Sequence, residues 1–218
     1  MSNNGSLLEI ERKFVVEPDI LFAHISAETW TNFYPVHVIA GYFNMIAEPD
    51  IGQARVSLKD DKEFCFNAKG IRSGASRGEY EITKNVIGDE LIAIKEFLSL
   101  IERKIVRTRY HVDIDGLDWC IDFMEDVYEG IILAEVEVPD EDYHIQLPKW
   151  IAKEITDDER LYMKSLALAR PYPERVNEIK SVYKGYLSYK DSMDVSKKAK
   201  LYLDSLYMKR MLEQRKED

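Results

Sequence analysis

The sequence predicts an α+β chain: an eight-stranded antiparallel β-barrel with flanking helices and a C-terminal helical extension. Three observations predict it. Between residues 7 and 138 side chains alternate in polarity with period two, as strands require. Turn residues interrupt that pattern at short spacing. The polar faces of the strands carry acids and bases in quantity, and a closed barrel gathers such faces round one central cavity.

The strands are expected near residues 7–16, 36–46, 52–60, 63–70, 76–84, 103–114, 117–125 and 130–138. Gly52, Asp60-Asp61, Gly70 to Gly78, Asp115-Gly116 and Glu129-Gly130 mark the turns. Asp115-Gly116, set between VDI and LDWCIDF, is a hairpin signal because both residue types accept a left-handed backbone. One helix is expected after Pro18 (DILFAHIS) and another after Gly88, where Leu91, Ile94, Lys95 and Leu98 recur at helical spacing. Beyond Pro148 the chain reads as helical, first WIAKEI and then DDERLYMKSLALA with Asp157 as N-cap. Arg170-Pro171-Tyr172-Pro173 breaks that helix. The break divides the chain into a barrel domain at 1–170 and an extension at 171–218.

Composition narrows the function classes. A chain of 218 residues with 45% hydrophobic and 32% charged content has enough core for one soluble domain with an appendage. It has no apolar run of about 18 residues, so no membrane span is expected. The opening MSNNGSLLEIERKF lacks the regions of a signal peptide, and Cys65 and Cys120 form no C-x-x-C pattern; both point to a reduced cytoplasmic setting. A net charge of −10 argues against coating double-stranded nucleic acid.

The chemistry lies in which residues share a strand face. Glu9, Glu11 and Lys13 share one face of the first strand. Adjacent carboxylates on one face repel unless a cation lies between them. The same arrangement returns with Glu135 and Glu137 in ILAEVEV, and Asp118, Cys120 and Asp122 share a face in LDWCIDF. Bases follow the rule too: Arg107 with Arg109, Arg77 with Glu79 and Glu81, Arg55 two places before Ser57, and Lys69 at the end of FCFNAKG. For any one strand the simpler reading is a solvated face with cross-strand ion pairs. Three acid-bearing and four base-bearing strands together point instead to a cavity for polyphosphate with a divalent metal, arginines gripping the phosphates and carboxylates the cation.

An ordered set of motifs then resembles the CYTH, or triphosphate tunnel metalloenzyme, superfamily. It comprises Glu9-x-Glu11-x-Lys13, Gly41-Tyr42-Phe43, Arg55, Lys69-Gly70, Ser76-Arg77-x-Glu79-Tyr80-Glu81, Arg107-Thr108-Arg109-Tyr110, Trp119-x-x-Asp122 and Ala134-Glu135-Val136-Glu137. It closes with Pro148-x-Trp150 and Glu154-Ile155-Thr156-x-Asp158-x-Arg160, so the resemblance spans residues 7–169. It implies a metal-dependent triphosphatase acting inside a β-barrel tunnel, with inorganic tripolyphosphate as substrate and Mg²⁺ or Mn²⁺ as cofactor. Glu9, Glu11, Asp122, Glu135 and Glu137 would hold metal, and Arg55, Lys69, Arg77, Arg107 and Arg109 would grip phosphates. Lys13, beside Glu11, would position or deprotonate water or assist the leaving group. Alternatives are a class IV-type adenylate cyclase, a thiamine triphosphatase, and a non-catalytic polyphosphate or nucleotide sensor.

The sequence departs from the pattern at several positions. Ser57 stands where a second arginine is usual, with Lys59 next on that face; Gly41 replaces a glutamine; Arg107 replaces a lysine; and Met163-Lys164-Ser165 replaces N-S-N. The four histidines have no metal-ligand spacing, the two cysteines read as buried thiols, GIRSGASRG as a hairpin tip, and Trp30, Trp119 and Trp150 as packing residues. In the extension, Ile179, Val182, Tyr183 and Tyr186 form one apolar stripe and Val195, Ala199, Tyr202, Leu203 and Leu206 a second. These stripes are expected to pack on the barrel, to make a homodimer contact, or to cover a tunnel mouth.

Overall fold

The computed structural model describes residues 7–26, 33–43, 51–71, 76–188 and 193–214. The strands are β1 (Leu7–Val16), β2 (Phe33–Phe43), β3 (Ile51–Lys59), β4 (Glu63–Gly70), β5 (Ser76–Asn85), β6 (Lys104–Ile114), β7 (Leu117–Met124), β8 (Ile132–Glu137) and β9 (Ile151–Glu154). The helices are α1 (Pro18–Ser26), α2 (Gly88–Leu100), α3 (Met163–Ala169), α4 (Pro173–Tyr186) and α5 (Met193–Gln214). Trp30 and residues 72–75 of the GIRSGASRG tip lie outside the described residues.

All nine strands form one sheet in the order β5-β4-β3-β2-β6-β7-β8-β1-β9, and β5 also pairs with β1. That extra ladder, from Leu7 opposite Glu79 to Ile10 opposite Ser76, brings the ends of the eight-strand run together. The outcome is the expected α+β tunnel architecture with one strand more than expected. β1 is long enough to serve two neighbours on one edge, β5 along its first half and β9 along its second.

β9 corrects the helical reading of WIAKEI. Phe14 pairs with Glu154, Val15 with Lys153 and Val16 with Ile151. The edge of β1 beyond β5 offers unpaired backbone groups, and a segment this short cannot nucleate a helix by itself. The cap is also shifted. Asp158, not Asp157, accepts from the Arg160 amide at 3.2 Å, and it caps a 3₁₀ turn at Glu159–Leu161 rather than α3.

Three apolar clusters hold the fold. The outer faces of β1, β6, β7 and β8 bury Phe14, Trp119, Ile121 and Val136 under α1 and α5. α2 covers Val56 and Leu58 on the outside of β3. The third cluster joins α3 and α4 to residues of the inner face, among them Val15, Ile105, Met124 and Leu133. The inner face therefore has two halves. On β1 it runs Glu11, Lys13, then Val15; on β6 His111, Arg109, Arg107, then Ile105; on β8 Glu137, Glu135, then Leu133. The charged half forms a cavity, and α3 and α4 pack against the apolar half.

Both stripes of the extension are used inside the chain. Ile179 and Tyr183 join the α3–α4 cluster, and Ala199 and Leu203 are fully buried against α1 and the barrel exterior. Gly41 is explained by the packing of the α2 cluster, which includes Ile101. A Cβ there would come within 2.6 Å of Ile101 Cδ1, on the side of the sheet away from the cavity, whereas Ala40 and Tyr42 line the cavity.

Candidate active site

The cavity inside the barrel has a volume of about 940 Å³, room for a triphosphate with metal. Period-two alternation on eight strands places its charged lining. Glu11, Lys13, Arg55, Lys69, Arg107, Arg109, Glu135 and Glu137 all face it, as the strand parity predicts.

The β1–β8 ladder sets the carboxylates. Glu11 stands directly opposite Glu137, and Lys13 opposite Glu135. Like charges directly opposite are unfavourable unless a cation joins them. Glu9 occupies the next same-face position on β1, in register with Arg77 on β5.

A chain of ion pairs runs across the floor. Lys13 Nζ lies 2.8 Å from Glu11 Oε2 and hydrogen-bonds Glu135. Arg109 donates to Glu135 at 2.7 Å and makes a two-pronged contact with Asp122 at 2.8 and 2.6 Å. Arg107 Nε lies 3.0 Å from the same Asp122 oxygen as Arg109 Nε. Asp122 has no exposed surface and does not line the cavity. Its expected place among the metal carboxylates differs from what the structure places there: Asp122 lies behind both arginines and fixes their direction.

This network sets protonation. Burial alone would strip the proton from Lys13, but Glu11 and Glu135 outweigh it and raise its pKa. Burial would likewise protonate Glu135, but Lys13, Arg109 and Arg107 hold it well below the usual carboxylate range. Lys13 is thus a fixed ammonium, and of the roles expected for it, positioning and leaving-group assistance fit while deprotonation of water does not. Burial pushes the Cys65 thiol up to about 11 and the Cys120 thiol up to about 12, so neither is a nucleophile at neutral pH.

The cations fit an anionic ligand. Arg107 is 4% exposed, yet among the described residues its Nε and Nη1 have no hydrogen-bond partner of good geometry, and neither has the Nε of Arg55. Buried guanidinium groups in that condition are costly unless a ligand completes them. Lys69 contacts Glu79 at 2.9 Å on the β4–β5 side. Ser57 is buried on the wall, and Lys59, two places on, pairs with Glu63 at 2.8 Å at the rim, so it does not reach the place of the absent arginine. Lys164 faces the cavity and donates to the Gly52 carbonyl.

Two groups escape a strand-by-strand reading. Asn67 is fully buried and donates to Glu79 and Glu81, orienting carboxylates that line the cavity. His111, Asp118 and Cys120 come together at one end of the charged lining. Their meeting is encoded by the two-residue Asp115-Gly116 turn, which fixes the pair His111–Cys120 once the register is counted outward from it.

With this fold and lining in place, the comparisons fall on one family. The family model for the CYTH domain matches residues 7–172, and the chain belongs to that family. An inorganic triphosphatase of Acetivibrio thermocellus is 31% identical over 165 residues, covering 75% of this chain and 95% of the relative. An inorganic triphosphatase of Nitrosomonas europaea is 28% identical over 170 residues, covering 76% of this chain and all of the relative. The crystal structure of an inorganic triphosphatase superposes with a TM-score of 0.50 at 28% identity, covering 73% of this chain and 97% of that one. α4 and α5 lie beyond the family match, apart from the turn that leads into them.

Proposed function

We propose that the chain is an inorganic triphosphatase that hydrolyses tripolyphosphate with Mg²⁺ or Mn²⁺ inside the barrel. One observation carries the reading: a cavity in which opposed carboxylates, Glu11 and Glu137, face buried arginines, of which Arg107 (Nε, Nη1) and Arg55 (Nε) have nitrogens with no well-formed hydrogen bond among the described residues. The two relatives named as inorganic triphosphatases support it.

Glu9, Glu11, Glu135 and Glu137 would hold the metal, whose carboxylate ligands suit a hard cation. When bound, it neutralises phosphate oxygens and makes a bound water more acidic. The chain does the rest. Arg55, Lys69, Arg107 and Arg109 would clamp the phosphates, with Arg77, whose side chain lies outside the described residues, as a further expected clamp. Asp122 keeps Arg107 and Arg109 aimed before substrate arrives, so little reorganisation is needed as charge builds on the transferred phosphoryl group. Lys13, permanently charged, steadies the departing pyrophosphate. No covalent intermediate is required, because the water attacks the terminal phosphorus directly. With both cysteines as free thiols, a cytoplasmic location accords with this reading.

Incubation with tripolyphosphate, ATP and thiamine triphosphate, each with Mg²⁺ or Mn²⁺, tests the proposal. Tripolyphosphate should be the preferred substrate, yielding one phosphate and one pyrophosphate, with no turnover after chelation. Preferential formation of cyclic AMP from ATP, or tight binding without turnover, contradicts it.

A further inference from the structure

We propose that the mouth of the tunnel carries a second metal site, of the zinc class, formed by His111, Asp118 and Cys120 and separate from the carboxylate set. The three donors belong to one hairpin. β6 and β7 are joined by the Asp115-Gly116 turn, which sets His111 opposite Cys120 and places Asp118 two residues before Cys120 on the same face.

Distances support a metal. His111 Nδ1 is hydrogen-bonded to Asp118 Oδ2 at 2.9 Å and lies 3.6 Å from Cys120 Sγ, so the three donor atoms already converge, all within 4.8 Å of one another. Around a tetrahedral zinc, with Zn–S of about 2.3 Å and Zn–N or Zn–O of about 2.0–2.1 Å, donor atoms stand roughly 3.3–3.6 Å apart. The N–S separation already has that value. The N–O separation needs to open by about 0.4 Å to reach it. Asp118, with 63% of its side chain exposed, has the freedom to do so. Tyr34 stacks on the imidazole at 5.2 Å and 14°, fixing the plane in which Nδ1 is presented.

Donor chemistry separates this site from the one below it. A thiolate with an imidazole selects zinc, cobalt or cadmium, whereas Mg²⁺ and Mn²⁺ prefer the all-oxygen set formed by the glutamates. On binding, a metal–sulfur bond replaces the S–H bond of Cys120, whose proton leaves to solvent, and the metal replaces the proton on His111 Nδ1, leaving the neutral ring protonated on Nε2. All three residues line the cavity, so a metal held there would be accessible to water or a phosphate oxygen.

The test is titration of the purified protein with Co²⁺ in saturating Mg²⁺, following the thiolate-to-cobalt charge-transfer absorption. The chain has only two cysteines, so sulfur ligation is assignable. One Co²⁺ per chain should give the band; Cys65→Ser should keep it and Cys120→Ser should lose it. His111→Gln, at a partly exposed rim position, gives an independent reading and should weaken Co²⁺ binding at least tenfold. Absence of the band in the unaltered protein, its survival in Cys120→Ser, its loss in Cys65→Ser, or unchanged affinity in His111→Gln overturns the proposal.

Discussion

Arg109 shows how one side chain joins the parts of the site. It reaches Asp122 behind it and Glu135 beside it, leaving Glu135 shared with Lys13. Replacing Arg109 by Ala removes a phosphate clamp and loosens both carboxylates. The expected result is a fall in kcat/KM of roughly 10- to 100-fold, about 1.5–3 kcal/mol for a hydrogen bond to a charged group, with kcat affected as well as KM. An unchanged kcat/KM removes Arg109 from the site. Glu137→Gln keeps the shape but takes away one of two opposed charges; metal-dependent turnover should fall by on the order of 10²-fold or more with the melting temperature preserved. Full activity in that variant defeats the metal assignment. The signs of the pKa shifts predict pH behaviour. Glu135 is depressed from an ordinary 4.5, so its stabilisation is complete above that value and is lost as pH falls through its folded pKa. Lys13 is raised from an ordinary 10.5, so its share is complete below that value and is lost only as pH rises through its higher folded pKa. The stability difference between the unaltered protein and Glu135→Gln, from urea unfolding, should be constant from about pH 5 to 9 and shrink in stronger acid. A difference that changes steeply near neutrality contradicts the assignment. At this scale parity was highly legible: it picked Glu11, Lys13, Glu135 and Arg109 as co-facial. The partner choices of Asp122 and Asn67 were not, because they depend on neighbouring strands' register rather than on spacing within one strand.

Elements divide into those whose signals are local and those decided by neighbours. β1 coincides with its expected range, and α2 begins at Gly88 and contains the residues expected at helical spacing, because period and flanking breakers agree with the final packing. β9 does not, since only the free edge of β1 makes strand pairing the better outcome for Ile151–Glu154. The stripes of the extension were legible, but not which surface they would meet. α4 and α5 bury Val176, Ile179, Tyr183, Ala199 and Leu203. Large apolar side chains contribute roughly 1.5–3 kcal/mol each when fully buried, against a typical total stability of about 5–15 kcal/mol. A chain ending at Arg170 should therefore be insoluble or melt far lower; a stable, fully active product means that the extension is a free appendage. A finer probe is the Tyr183 hydroxyl, which accepts from the Ile132 amide and donates to the Val16 carbonyl, each at 3.2 Å. Tyr183→Phe orphans a buried amide, and a loss of about 1–3 kcal/mol in chemical denaturation is expected. An unchanged midpoint shows that this bridge does not hold α4 to β1 and β8.

Across the whole molecule, opposite demands are met on one sheet. The outer faces of β1, β3, β6, β7 and β8 are apolar and are covered by α1, α2 and α5; the inner face is charged over one half and apolar over the other, where α3 and α4 pack. This arrangement gathers arginine and lysine in the cavity of a chain whose net charge is −10, so the proposed anion binding would belong to the cavity rather than to the surface. Turnover of tripolyphosphate in ¹⁸O-labelled water tests the central claim most directly, because it reads hydrolysis, its dependence on metal and the point of attack together. The account predicts that with Mg²⁺ or Mn²⁺ one ¹⁸O enters the released phosphate and none enters the pyrophosphate, and that both products vanish with chelator. Label in the pyrophosphate, or no metal-dependent release of either product, contradicts it.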